Sequence, residues 1–349
     1  DLHSFPTRRS SDLTLVLNVV VYIFIDPILN FLRVPEEVWG GMREYLLIIF
    51  AGLLATSLYN FFSCLLRALG NSTVPLVFLA VSAILNIAWD LLFVAVFHWG
   101  IAGAAYATIF AQYVSGIGIL LYVLFRCRSL LPERKDLRFD GGILKEIAGL
   151  SSLTCLQQSV MNFGILMVQG LVNSFGAITM AAFAAAVKID TFAYLPVQDF
   201  GNAYSTFVAQ NYGAGNKERI RRGTKESFAI STAFSLVISA LVFAFAAPLM
   251  QIFVSSAETA VIASGVRYLR IEGAFYFGIG CLFLLYGYYR AIKRAEMSVV
   301  LTVISLGIRV LLAYVLSATS LGETGIWMAI PIGWILADLT GLLYMRKTW

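Results

Sequence analysis

LLRALGNSTVPLVFLAVSAILNIAWD, residues 65–90, returns 223 positions later as YYRAIKRAEMSVVLTVISLGIRVLLA, residues 288–313. Arg67-Ala68, Val77 and Ser82 reappear as Arg290-Ala291, Val300 and Ser305. Upstream, Tyr45-Leu46 matches Tyr268-Leu269 at the same offset, and Pro27-Ile28 matches Pro248-Leu249 at 221. Downstream one residue drops out, so that Gly100-x-x-Gly103, Ala107 and Leu120-Leu121-Tyr122 match Gly322-x-x-Gly325, Ala329 and Leu342-Leu343-Tyr344 at 222. Two copies of one pattern in a strongly apolar chain are the plan of secondary transporters, in which two helix bundles flank a central binding site.

Composition agrees with that plan. Hydrophobic residues make up 59% and charged residues 13% of the chain, with a mean hydropathy of +0.82, far outside the soluble balance. Cys64, Cys127, Cys155 and Cys281 have neither metal nor redox spacing, and His3 and His98 are too few for a metal cluster. The net charge of +5 does not point to nucleic acid here, because the basic residues lie between apolar runs and orient them in a bilayer.

Apolar runs long enough to cross about 30 Å of hydrocarbon number ten: Thr14–Leu32, Tyr45–Leu66, Pro75–Phe97, Ile101–Phe125, Ile143–Val172, Ala177–Ala209, Ser227–Val254, Tyr268–Tyr289, Met297–Leu316 and Gly325–Tyr344. Each far exceeds the ten or so residues of a membrane-barrel strand, so the expected class is all-α. Alternate loops hold seventeen Lys and Arg, from Arg67 through the 126–145 and 217–225 segments to Arg346 and Lys347, against four near the other ends, Arg33, Arg43, Arg267 and Arg270. This bias places the rich loops and the C-terminus in the cytoplasm.

The second copy spans six runs and the first only four, so two helices are expected to be missing at the start. Residues 1–13 are rich in Ser and Arg, resemble translated sequencing-adapter sequence, and are read as a non-native leader on a truncated chain. The expected domains are an N-lobe over 14–126, a polar cytoplasmic linker over 127–142, and a C-lobe over 143–349.

Ionisable groups inside spans cost about 2.5–3.5 kcal/mol each at the helix centre, so each needs a partner or a wet cavity. Asn86 and Asp90 lie four apart on one helix face, and Thr108 sits at similar depth on the next helix, which makes a three-oxygen cluster for a cation or proton. The alternative is polar packing glue between helices. The repeat puts Arg309 opposite Asn86 and Ala313 opposite Asp90, so only the first copy can hold a cation this way. In the second copy Gln158, Asn162 and Gln169 form a polar stripe. On the following helix Asp190, Tyr194, Gly201 and Ser205 share one face, Asp199, Asn202, Thr206 and Gln210 another, and Pro196 should kink it. Glu272, Tyr276, Phe283 and Tyr286 fall at helical spacing and could hold a lipophilic cation by charge and cation–π contact; ordinary packing is the plainer alternative. Asp190 could instead pair with Lys188 or Arg309. No HExxH, GxSxG or nucleotide-binding motif is present, so neither an enzyme nor a primary pump is expected.

Two stretches, LRALGNSTVP at 66–75 and FVAQNYGAGN at 207–216, resemble signature loops of the MATE (multidrug and toxic compound extrusion) family, as do Asn173-Ser174-Phe175-Gly176-Ala177 and Pro196. The resemblance runs from Thr14 to Lys347. It implies a twelve-helix plan of two six-helix lobes, of which this chain carries helices three to twelve. It further implies a monomer in the bacterial inner membrane that exports small organic cations in exchange for Na⁺ or H⁺, with no bound cofactor. Asn86, Asp90 and Thr108 match the coupling-ion residues of several family members on helices five and six, whose acid on helix one has no counterpart here; some relatives instead carry an acid early in helix seven, where this chain has only Gln157, Gln158 and Ser159. Gln158, Asn162, Gln169, Asp190, Tyr194, Glu272, Tyr276 and Arg309 are the expected C-lobe substrate cavity. A lipid-linked oligosaccharide flippase of the same superfamily would want a more basic cavity, and a non-transporting scaffold would not need buried acids in both lobes.

Overall fold

A computed structural model describes residues 18–19, 21–27, 29–30, 36–127 and 141–348. The expected leader and residues 128–140 of the linker lie outside this set. The chain is all helical among the described residues, and it divides into two compact units, Asp1–Leu144 and Lys145–Trp349. The first unit holds α1 (helical over residues 21–27), α2 (Glu36–Ala51), α3 (Leu53–Ala68), α4 (Thr73–Asp90), a π-helical turn (Leu91–Val96) and α5 (Gly100–Arg126). The second is built from α6 (Gly141–Ser174), α7 (Ala177–Gly213), α8 (Lys217–Phe253), α9 (Thr259–Gly273), α10 (Tyr276–Ala291), α11 (Ala295–Ser317) and α12 (Glu323–Thr348).

Among the described residues, eight helical stretches are long and apolar enough to cross a membrane, α2 and α3 together forming one of them (Trp39–Ala68), or nine if α9 and α10 form one span bent by 51°. The expected run Thr14–Leu32 falls largely outside the described residues. The run Tyr268–Tyr289, expected as one helix, is instead broken at 274–275, where the Phe275 N–H closes a tight turn onto the Glu272 carbonyl. Gly273 precedes the break; it is a poor helix residue, and a Cβ on it would lie 3.2 Å from Val242 of α8. Pro196 lies within an uninterrupted α7, whereas the non-helical residue appears at Phe245 in α8 (φ −105°, ψ 18°), three before Pro248. There the proline ring crowds the carbonyl of Ala244.

The outside of each unit is apolar. Phe125 is 69% exposed and Phe192 77%, as a lipid-facing surface requires. Small and hydroxylated residues occupy the interfaces instead, since without a hydrophobic force between helices close approach decides packing. Ser231, Ser235 and Ser239 form a buried stripe on α8, and a Cβ at Gly280 of α10 would sit 2.8 Å from the Ser231 hydroxyl. On α7 the Ser205 hydroxyl donates to the Gly287 carbonyl of α10 at 2.9 Å.

The two copies of the sequence repeat fold alike in detail. The N–H of Asn71 bonds the Leu66 carbonyl at 2.8 Å and that of Gly70 bonds Arg67 at 3.0 Å; the N–H of Arg294 bonds Tyr289 at 2.8 Å and that of Lys293 bonds Arg290 at 3.3 Å. Both are Schellman helix ends. Gly70 has φ +84° and its equivalent Lys293 φ +60°, so the second copy keeps the left-handed turn without the residue that favours it. Arg67 and Arg290 each turn back to donate Nε–H to a carbonyl four residues earlier, Ser63 and Tyr286, at 3.2 Å. The residue lost between the copies lies between Ser82 and Gly100, and there the first copy alone has its π-helical turn. The π-turn, which holds more residues than an α-helical turn, lies within the stretch where the copies differ by one residue.

A Cβ at Gly287 would lie 2.6 Å from the Gly201 carbonyl, whereas one at Gly149 meets nothing within 4 Å. Gly287→Ala is expected to cost about 1–3 kcal/mol through overpacking, and Gly149→Ala to gain up to about 1 kcal/mol of helix propensity. Thermal unfolding of both variants in one detergent checks the opposite signs.

Candidate functional site

Each unit holds a polar cluster. In the first, Asn86 and Asp90 occupy the last two turns of α4, which packs against α5. The Asp90 Oδ1 and Asn86 Nδ2 atoms are shut off from solvent and have no hydrogen-bond partner. Thr108 is half-buried on α5 and donates its hydroxyl hydrogen to the Ala104 carbonyl at 3.0 Å, which leaves the hydroxyl oxygen as an acceptor. No hydrogen bond joins Asn86, Asp90 and Thr108 directly among the described residues. One turn beyond Thr108 lies a residue that sequence reasoning missed: Gln112, whose Oε1 is also buried without a partner. Its i, i+4 spacing from Thr108 was the available signal.

Asp90 is also the last α-helical residue before the π-turn, and π-turns are frequent at functional sites. The Phe97 and Trp99 amides close onto Leu92 and Phe93 at 2.9 Å each. Trp89, Phe93 and Phe110 pack edge to face at 5.8–6.0 Å, and Phe93 stacks on Trp99 at 5.0 Å. An aromatic block therefore holds the irregular turn just past the carboxylate.

In the second unit Asp190 of α7 and Glu272 of α9 are 8% and 7% exposed. The Tyr276 hydroxyl donates to Asp190 Oδ1, and Tyr268 stands within hydrogen-bonding reach of both carboxylates. Arg309 of α11 is close enough to interact with both charges, yet it forms no ion pair among the described residues, and its Nε is buried without a partner. Asp190 Oδ2 and Glu272 Oε2 are likewise unpartnered. Two carboxylates around one guanidinium leave an excess negative charge among buried groups, which a proton or small cation would compensate. Tyr194 and Phe283 meet edge to face at 4.9 Å, with Tyr286 6.2 Å from Phe283; these rings form an apolar strip beside Arg309.

Of the two suggested partners for Asp190, the structure brings up Arg309. Lys188 is exposed, its Nζ 5.7 Å from the Phe253 ring centroid. The α6 stripe does not join the acidic pocket: Gln158 and Asn162 are exposed, Gln169 donates to Asn173 at 2.8 Å, and the buried amide of that helix is Gln157. Glu272 and Tyr276, expected one turn apart on a single helix, lie on either side of the α9–α10 break. Sequence reasoning also missed Tyr268, four residues before Glu272, and Asp338 of α12, buried beside Cys281 with Oδ1 unpartnered. Among the described residues no group of three or more His, Cys, Asp and Glu side chains could hold a metal ion.

Residues 12–92 and 153–315 match the MatE family pattern. The chain is similar to the probable multidrug resistance protein YpnP of Bacillus subtilis, 32% identical over 91% of this chain and 71% of that protein. It is also similar to the probable multidrug resistance protein NorM of Thermotoga maritima, at 26% identity over 91% of this chain and 70% of that protein. Among solved structures, the bent form of the Vibrio cholerae MATE transporter VcmN superposes with a TM-score of 0.90 at 22% identity, covering 99% of this chain and 78% of that one.

If Arg309 balances the two carboxylates, Arg309→Met should destabilise the protein by about 3–5 kcal/mol by leaving buried charge uncompensated. Adding Glu272→Gln should restore most of that loss, since one carboxylate fewer remains. A double-mutant cycle on thermal stability measures the coupling; simple additivity would show that the three groups do not share a pocket.

Proposed function

Because the chain belongs to the MatE family, a family of transporters rather than enzymes, we propose that it is a cation-coupled antiporter exporting amphipathic organic cations in exchange for Na⁺ or H⁺. The observation that carries this reading is Asp90: a carboxylate inside a span, one oxygen sealed from solvent and unpartnered, with no basic side chain paired to it among the described residues. Such a group is tolerable in hydrocarbon when a mobile positive species neutralises it. Asn86, Thr108 and Gln112 add amide and hydroxyl oxygens on the two packed helices. Na⁺ is cargo here, as is the proton, and the protein needs no resident cofactor for either.

In this proposal the lobes are residues 14–126 and 143–349, joined by the 127–142 linker, and they alternate in exposing a site to the two sides. Holding or releasing the ion at Asp90 changes the cost of burying that carboxylate by about 2.5–3.5 kcal/mol, enough to shift a two-state equilibrium roughly a hundredfold. The acidic, aromatic pocket of Asp190, Glu272, Tyr194 and Tyr276 supplies the charge and rings that an organic cation requires. The multidrug names of the two Bacillus and Thermotoga relatives support this substrate class. The excess of Lys and Arg in alternate loops supports a cytoplasmic C-terminus in a bacterial inner membrane.

Asp90→Asn removes the charge and keeps the shape. Expressed in a pump-deficient bacterial host, this variant should reach the membrane at normal levels and lose ethidium efflux to background; undiminished efflux would exclude the site. Collapsing the Na⁺ and proton gradients separately in the unmodified transporter identifies the ion.

A further inference from the structure

The second unit carries a groove of about 1560 Å³ where the start of α8, the α10–α11 turn and the end of α12 meet. Six cations line it, Lys217, Arg221, Lys225, Arg294, Arg346 and Lys347, against one carboxylate, Glu218. We propose that this groove binds the phosphate groups of an anionic phospholipid.

Three observations converge on it. First, four of the six basic side chains in the groove have no neutralising partner among the described residues. Lys217, Lys225, Arg346 and Lys347 make no side-chain hydrogen bond or ion pair among the described residues, whereas nearby Arg222 pairs with Glu226 at 2.9 Å and Arg290 is held by Asn202 and the Tyr286 carbonyl at 3.2 Å. Arg294 is anchored at 2.8 Å on the Tyr344 hydroxyl, which fixes one guanidinium at the rim. Like charges gathered in one concavity repel, and a polyanion is the ligand that relieves them.

Second, the groove lies where the ends of two candidate spans meet. Lys217 opens the span Lys217–Phe253 and Lys347 closes the span Glu323–Lys347. Basic pockets between span ends are where phospholipid headgroups dock. Third, the lining is amphipathic: Ile292, Leu342 and Met345 lie among the cations, and Tyr212, Tyr288 and Tyr344 complete it. A free phosphate gains nothing from apolar walls, and the volume exceeds the roughly 300–1,000 Å³ of ordinary small-molecule pockets. A glycerol-linked headgroup with the first carbons of its acyl chains uses both features. A lipid with two phosphodiesters matches the spread of charge better than one with a single phosphodiester.

The test is native mass spectrometry of the detergent-solubilised, delipidated chain titrated with cardiolipin, phosphatidylglycerol or phosphatidylcholine. Cardiolipin should bind at least tenfold more tightly than phosphatidylcholine, with phosphatidylglycerol between them. The quadruple variant K217Q/K225Q/R346Q/K347Q should lose at least tenfold in cardiolipin affinity, and the charge-matched variant R126Q/K145Q/R219Q/R222Q, altered outside the groove, should stay within threefold. Equal binding of cardiolipin and phosphatidylcholine, or an equal loss in both quadruple variants, overturns the proposal. Displacement of cardiolipin by millimolar inorganic pyrophosphate would assign the groove to a soluble phosphate compound and overturn the lipid reading. Should the groove variant fail to fold, the unmodified chain still decides: its preference for cardiolipin must collapse when salt is raised from 0.1 to 1 M, where the screening length shrinks to about 3 Å, and a salt-independent preference counts against the site.

Discussion

A polar group inside hydrocarbon must find a partner, and this requirement organises both units. Backbone groups meet it by forming helices. Side-chain carboxylates meet it in two different ways. Asp90 has no basic partner among the described residues, and one of its oxygens is sealed off without a hydrogen bond. Asp190 and Glu272 are enclosed with Tyr268, Tyr276 and Arg309, and their unpartnered oxygens point to a shortfall of one positive charge rather than to an absence of all neutralisation.

These two solutions stand on one repeated chassis. The Schellman ends at Gly70 and Lys293, the back-turned Arg67 and Arg290, and the glycines Gly100 and Gly322 at φ +56° and +53° are common to both copies. The copies also differ at the candidate site residues. Asn86 and Asp90 are replaced by Arg309 and Ala313, and the π-turn after Asp90 has no counterpart after Ala313. The second copy thus carries the Arg309 guanidinium where the first carries the Asn86 amide, on the same helical scaffold.

The surface follows from the same solvent. Large apolar side chains face outward and serines line helix contacts, the reverse of a soluble domain, while Lys and Arg gather at the span ends. The groove bounded by α8, α10, α11 and α12 is where that end charge becomes concave and goes largely unpaired.

Much was legible without coordinates because the signals were one-dimensional. Span length, loop charge and the 223-residue repeat depend on counting along the chain, and the all-α membrane class followed from them; the i, i+4 spacing of Asn86 and Asp90 on one helix is likewise a local fact. The rest depended on which helix faces meet. Sequence periodicity assumed a straight helix through Gly273 and so joined Glu272 to Tyr276, when a bend separates them. It chose Gln158 where the fold buries Gln157, a rotation of about 100° on a helix. It offered Lys188 and Arg309 equally to Asp190, and only the packing of α7 against its neighbours turned one away. The single-residue change in repeat offset was visible as arithmetic, but the π-turn beside Asp90 in the same stretch required backbone hydrogen bonds. Local spacing and composition thus determined what kind of molecule this is; the tertiary structure decided which polar groups share a pocket, because that depends on helix rotation and bending set by side chains distant in the chain.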